Sequence, residues 1–272
     1  MDEQATFEQM MALEQHGPDT YVGVGPSYPW GGLYGGQIVA QALRAAGLTV
    51  DEQYRPHSLH AYFIRPGDPS EPIRFEVDRI RNGRSFTTRR VVARQSIGAI
   101  FNLAASFQLA EDEADVQAIA MDPAAGRPDD HLSDSWSHVF DRRSVGDVRV
   151  NDDGRSLAWM RMMEPVGDDP VLRACALAYL SDDLPTEGAI TLHPDRRMLG
   201  DAGEFDRTFM NASLDHAIWF HRPIDPFDWH LHELRGHNLN GARGLAIGEI
   251  MSASGVHAAT VAQEVLLRRA RP

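Results

Sequence analysis

The chain has 272 residues, 43% hydrophobic and 24% charged, an ordinary globular composition with room for one large domain or two small ones. All 26 basic residues are arginine and none is lysine, which removes Schiff-base and pyridoxal chemistry and the phosphate-binding P-loop, each of which needs a lysine amine. Thirty-nine acidic residues bring the formal charge to −13 and the pI to about 5.3, so the surface as a whole repels nucleic acid and anionic membranes.

Met1 to Met10 is acidic and lacks the basic and apolar regions of a leader, and no apolar stretch approaches the roughly 18 residues of a membrane span. A soluble cytoplasmic protein is expected. The first helix is expected over Gln37 to Ala46, entered through Gly35-Gly36 and closed by Gly47. A hairpin follows, with strands Ile73 to Arg81 and Ser85 to Arg94 around Asn82-Gly83, the strongest short hairpin signal in the chain. Glu111 to about Ser135 is rich in Asp, Pro and Ala with little periodicity and reads as a linker. The second helix starts near Pro170, a favoured first-turn residue behind Asp168-Asp169, and runs to about Leu180. It holds Cys175, whose solitude excludes an intrachain disulfide and a multi-cysteine zinc site and marks it as a core residue. Pro185 to Phe205 carries Pro, Gly and charge and reads as a long loop. A second hairpin pairs Trp229 to Leu234 with Leu245 to Met251 through a turn near Gly241.

The two halves repeat at an offset of about 155 residues: Ser58-Leu59 matches Ser213-Leu214, Arg65-Pro66 matches Arg222-Pro223, and Gln108 matches Gln263. A helix followed by four or five antiparallel strands, twice, is an α+β plan. The division it suggests is an N-terminal unit over 1–110, a linker over 111–135 and a C-terminal unit over 136–272.

Seven stretches, in order across nearly the whole chain, resemble the acyl-CoA thioesterase II family. They are Tyr34-Gly35-Gly36-Gln37 with Ala40-Gln41-Ala42; His57 to Phe63 with Arg65-Pro66-Gly67-Asp68; Gly83 to Phe86 with Arg89-Arg90-Val91; Ala105 to Gln108; Tyr179 with Ser181-Asp182; Ser213 to His216 with Trp219 to Pro223; and Ala262-Gln263-Glu264. The resemblance implies a double hotdog, two antiparallel sheets each wrapped around a central helix. It also implies hydrolysis of acyl-CoA to free CoA and a carboxylic acid, in fatty acid metabolism, by a homo-oligomer that needs no cofactor beyond the coenzyme A of its substrate. The family's Asp, hydroxyl and Gln, which act together on one water, map onto Asp182, Ser213 and Gln263, all in the second half. Asp183 competes with Asp182 for the role. The first half has counterparts Ser58 and Gln108 but no convincing aspartate, Asp51 being the nearest, so one centre per chain is expected.

Each candidate has a plainer reading. Asp182, expected at a helix C-terminus, is disfavoured there by the dipole as an ion, and burial would raise its pKa toward a useful base; otherwise it is a solvated loop acid. Ser213 and Gln263 are otherwise ordinary strand residues. No Gly-x-Ser-x-Gly occurs, which favours water over a serine nucleophile. Gly36 at a helix start offers N–H groups to a substrate oxygen or simply lets the helix pack closely, and the oxyanion donors are expected from the second helix or its partner strand. Arg79, Arg81, Arg84, Arg89, Arg90 and Arg94 crowd into 16 residues, with no acid from Arg79 to Ala110. Arg84, Arg89 and Arg90 are accordingly candidates for the phosphates of coenzyme A, against a solvated edge strand. His216, His221, His230, His232 and His237 raise a metal site, disfavoured because no cysteine or closely spaced carboxylate joins them. The alternatives to an enzyme are a catalytically weak acyl-CoA-binding or structural hotdog protein, and less favourably a hydratase-like hotdog.

Overall fold

In chain order the elements of the computed structural model are α1 (Phe7–Met11), β1 (Glu14–Gly17), β2 (Thr20–Gly23), α2 (Gly35–Gly47), β3 (Tyr54–Phe63), β4 (Ile73–Asn82), β5 (Phe86–Gln95) and β6 (Gly98–Leu109). There follow β7 (Phe140–Ser144), β8 (Arg155–Met162), α3 (Pro170–Ser181), α4 (Pro185–Ile190), β9 (Phe209–Ser213), β10 (Asp215–Phe220), β11 (His230–Asn240), β12 (Arg243–Ser252) and β13 (His257–Arg269). The structure describes residues 5–150, 152–198 and 208–269.

Every described strand pair is antiparallel. Five strands of the first half run in the order β2-β4-β5-β6-β3, and those of the second in the order β10-β13-β12-β11-β8-β7, with β9 beside β13. The two sheets join edge to edge where β3 meets β10, Leu59 opposite Ile218, into one continuous surface. The Asn82-Gly83 hairpin forms with Gly83 N–H donating to Phe86 at 2.9 Å. The turn after Asn240 places Gly241 and Ala242 at φ +56° and +61°, the paired left-handed residues of a tight hairpin.

Alpha-2 is apolar on nearly every side because the sheet and α3 enclose it. Val39, Ala42, Leu43 and Ala46 have no exposed surface, and each larger side chain so buried contributes on the order of 1.5–3 kcal/mol. Its two buried amides are linked: Gln37 donates to Gln41 at 3.2 Å, and Gln41 donates to the carbonyls of Met10 and Val24 at 3.0 and 2.9 Å, tying down the preceding chain. Alpha-3 is capped by Asp169, which accepts from Val171 at 2.8 Å, and contains the fully buried Cys175.

The helices lie antiparallel. At one end Arg44 pairs with Asp169 at 3.0 Å, and a Cβ on Gly47 would strike Val171. At the other, a Cβ on Gly36 would strike the Tyr179 carbonyl and one on Gly35 the Asp182 carboxylate. Glycine is required there because two backbones touch.

The chain between the halves runs over the second. Gln117 donates to the Gly255 carbonyl and accepts from His257 N–H, both at 2.8 Å, and Trp159 donates to the Ala125 carbonyl at 3.2 Å. The loop expected over Pro185 to Phe205 is corrected at its start: Pro185–Ile190 is a helical turn and a half, with Gly188 seated on Leu234 and Ala246. Pro at its first position and Ala-Ile facing the sheet favour that turn. Residues 199–205 of the same stretch lie outside the described residues. Among the described residues no helix is long and apolar enough to cross a membrane.

Candidate active site

Asp182 caps the C-terminus of α3, with its side chain turned toward the other half of the molecule and only 8% of the residue exposed. Oγ of Ser213, at the end of β9, donates to its Oδ1 at 3.1 Å. Ser213 in turn accepts from Nε2 of Gln263 on β13 at 2.9 Å. The structure thus brings the three together on a helix end and two neighbouring strands. Burial pushes the Asp182 carboxyl up to about 7, against hydrogen bonds from Gln263, Ser213 and the Gly36 N–H, which favour the ion. The charge of Asp183 adds a smaller upward push.

Asp183 faces elsewhere. Its Oδ1 accepts from the indole N–H of Trp136 at 2.6 Å, and its Oδ2 pairs with Arg142 at 2.8 Å. Arg142 also holds Asp134 at 2.9 Å and Glu187 of α4 at 2.5 Å, so Asp183 belongs to an ion cluster centred on the buried Arg142. Above Asp182, Tyr34 and Trp136 meet edge to face at 4.9 Å, and Tyr34 donates to the Tyr179 carbonyl at 2.8 Å. Tyr28 and Trp30 stack at 5.2 Å, with half of Trp30 exposed.

A backbone donor at Asp182 comes from the first helix. Gly36 N–H is at the positive end of α2 and favours the ionised form of the Asp182 carboxyl. At the far end of the helix pair the first half has no carboxylate: Leu48 follows α2, and Asp51 lies exposed with only its carbonyl engaged, by Tyr54 N–H.

That far end holds Arg89. It is 2% exposed, and its five N–H groups all bond inside the protein. Nε and Nη2 reach Thr49 at 2.7 and 2.9 Å, Nη2 also reaches Asn82 at 2.7 Å, and Nη1 reaches the carbonyls of Arg81 and Thr88 at 3.0 Å. No donor is left for an external phosphate, so the expectation of Arg89 as a coenzyme A ligand gives way to a structural role. Thr49 lies beyond the C-terminus of α2, roughly 20 Å along the helix from the Asp182 end.

The neighbouring arginines are outside but mostly paired: Arg90 with Asp78 at 3.2 Å, Arg94 with Glu76 at 2.8 Å and Arg79 with Asp19 at 2.9 Å. Among the described residues no carboxylate pairs with Arg84 or Arg81, and Arg84 is exposed. Of the clustered histidines, His216 is in the Asp182 network, His221 contacts Thr260 at 2.9 Å and His230 reaches the Asp225 carbonyl at 2.8 Å. Among the described residues no three His, Cys, Asp or Glu side chains converge as metal ligands do. Sequence reasoning missed the Gly36–Asp182 contact and the contact of His216 with Gln263; the Gly-Gly-Gln helix start was the one local signal for the first.

Two helix-wrapping antiparallel sheets joined edge to edge, with a buried carboxylate, a hydroxyl and an amide where one helix ends, define a double hotdog with a hydrolase-like site. A family profile described as acyl-CoA thioesterase N-terminal domain matches residues 25–108, and one described as acyl-CoA thioesterase C-terminal domain matches residues 113–267. The chain belongs to the acyl-CoA thioesterase family. Acyl-CoA thioesterase 2 of Haemophilus influenzae is 35% identical over 259 residues, covering 87% of each chain. Acyl-coenzyme A thioesterase 8 of Mus musculus is 33% identical over 266 residues, 87% of this chain and 80% of that protein. The solved structure of acyl-CoA thioesterase II TesB2 from Mycobacterium marinum superposes with a TM-score of 0.82 at 36% identity, over 98% of this chain and 99% of that one.

Proposed function

We propose that this protein hydrolyses acyl-CoA to free CoA and a carboxylic acid by direct attack of water, with Asp182 as general base and Ser213 and Gln263 holding the water beside it. The observation that carries the reading is the placement of a carboxyl tuned to about 7 at the end of one hydrogen-bonded line with a hydroxyl and an amide. At neutral pH half or more of such a group is ionised, yet it is basic enough to take a proton as the water oxygen bonds to the thioester carbonyl carbon. Collapse of the tetrahedral adduct breaks the carbon–sulfur bond, and the thiolate of CoA recovers the proton from Asp182. The positive end of α2 beside the carboxylate offsets part of the cost that burial places on negative charge there. Arg84 and Arg90 are assigned to the phosphates of coenzyme A; Arg90 would exchange Asp78 for phosphate, a change that costs little at an exposed pair.

The same reading describes a homo-oligomeric cytoplasmic protein that uses no cofactor besides its substrate's coenzyme A, built as units over 1–110 and 136–272 about the 111–135 connection. Light scattering behind size exclusion reads its assembly. Free-thiol release from acetyl-, hexanoyl-, dodecanoyl-, palmitoyl- and benzoyl-CoA tests the activity. Turnover of at least one is expected, and release at the buffer rate from all five would leave the binding-protein alternative in its place.

A further inference from the structure

His216 lies on β10 with 1% of its surface exposed, and its two ring nitrogens face different partners. Nε2 is 2.9 Å from Oγ of Ser181, the last residue of α3, and Nδ1 contacts Oε1 of Gln263. Burial lowers the imidazole to about 4, so the ring is neutral at neutral pH and carries a single N–H.

One arrangement of hydrogens keeps the Ser213 hydroxyl on the ionised carboxylate of Asp182. Gln263 turns its NH2 to Ser213 at 2.9 Å, so its carbonyl oxygen is the atom that faces His216, and that oxygen can only accept. Nδ1 therefore holds the ring hydrogen and Nε2 is a bare lone pair. In this arrangement the Ser181 hydroxyl turns its one hydrogen from the Ala178 carbonyl, 2.9 Å away, to Nε2 at the same distance. The line then reads, donor to acceptor, Ser181, His216, Gln263, Ser213, Asp182. With the other tautomer, two lone pairs would face each other at Gln263. Rotating the amide to relieve them would point its oxygen at Ser213 and draw that hydroxyl away from Asp182.

We propose that His216 is a positioning residue for the hydrolysis: locked by Ser181 with its hydrogen on Nδ1, it fixes which way the Gln263 amide points and thereby keeps the Ser213 hydroxyl on Asp182. The proposal rests on the assignment of Asp182, Ser213 and Gln263 given above.

The test combines kinetics, using the fastest of the five acyl-CoA substrates, with nitrogen-15 spectra of the histidine rings. His216→Leu is expected to lower kcat about tenfold to a hundredfold with KM within about threefold of wild type. His216→Asn, which keeps an N–H donor near the Nδ1 position, should recover most of that loss. In a Gln263→Ala background, itself slow, His216→Leu should cost nothing more, because its effect passes through the amide. The spectrum should show hydrogen on Nδ1 of His216 and a bare Nε2, and Ser181→Ala should disturb that state; this readout serves even where His216→Leu does not fold. Equal losses in the Asn and Leu variants, a full additional loss in the Gln263→Ala background, or hydrogen on Nε2 would each overturn the positioning role alone. Wild-type kcat in Gln263→Ala would instead strike down the three-residue site, and the role of His216 with it.

Discussion

The backbone N–H of Gly36, in the first half of the chain, donates to the carboxylate of Asp182, in the second. Neither half owns the centre: one brings the acid, hydroxyl and amide, and the other brings a helix N-terminus to sit against the acid.

A Cβ at position 35 would run into Oδ2 of Asp182 and the ring of Phe63. Gly35→Ala gains as much as about 1 kcal/mol of helix propensity, yet it displaces the Asp182 carboxyl, so if Asp182 is the base kcat should fall about tenfold or more while the fold survives. Steady-state kinetics beside a thermal melt would check this, and unchanged kcat would show that the close approach has no part in the chemistry.

If Asp182 is the base, kcat/KM should decline tenfold per pH unit below about 7 and level off above it. The buried imidazole of His216 cannot supply that limb, because it loses its proton near 4. A profile flat from pH 5 to 8 contradicts the assignment. Asp182→Asn should abolish the limb and lower kcat by roughly a hundredfold or more.

The same group makes a prediction about stability. The folded-state pKa is raised, so between about 4 and 7 the folded protein holds a proton that the unfolded chain has released, and stability falls as pH rises through that window. The ionised carboxylate costs up to about 4 kcal/mol above it. Asp182→Asn removes that cost, so the variant should unfold at higher temperature or urea than wild type at pH 8 and show little difference at pH 4. Equal displacement at both pH values would mean that the carboxyl is not desolvated.

Arg89 and Arg84 should separate stability from binding. Arg89→Met leaves Thr49, Asn82 and two carbonyls without their donor and should cost about 3 kcal/mol in urea unfolding. Arg84→Ala should change stability by no more than about 0.5 kcal/mol, raise KM for acyl-CoA and flatten its dependence on salt. KM insensitive to Arg84→Ala at both low and high salt would remove Arg84 from the coenzyme A site.

What the sequence made legible was local. The Ala-rich run between glycines gave α2, the Asp-Pro start gave α3, and Asn82-Gly83 gave the β4–β5 hairpin, because each depends on residues a few positions apart. The trio came from family resemblance, since a strand serine and a strand glutamine carry no signal of their own. The ion pairs of the arginine run were hidden for a spatial reason: Glu76, Asp78 and Asp19 precede it in sequence but face it across strands. Inward alternation at Thr87, Arg89, Val91 and Ala93 marks Arg89 as interior, yet a guanidinium is so seldom buried that the pattern is easily passed over. Position alone could not decide between Asp182 and Asp183, because only tertiary structure turns one toward Ser213 and the other toward Arg142.

The antiparallel helices give the molecule two corresponding ends, one occupied by Asp182 and the other by Arg89 on Thr49. Were the halves separate and identical chains, any substitution at one end would be copied at the other, and a residue too costly for one could not be tolerated at either. Joining them in a single polypeptide lifts that constraint. A destabilising, half-ionised acid can sit at one end while a saturated guanidinium braces its counterpart, so the group that costs stability and the group that restores it need not be copied at both ends.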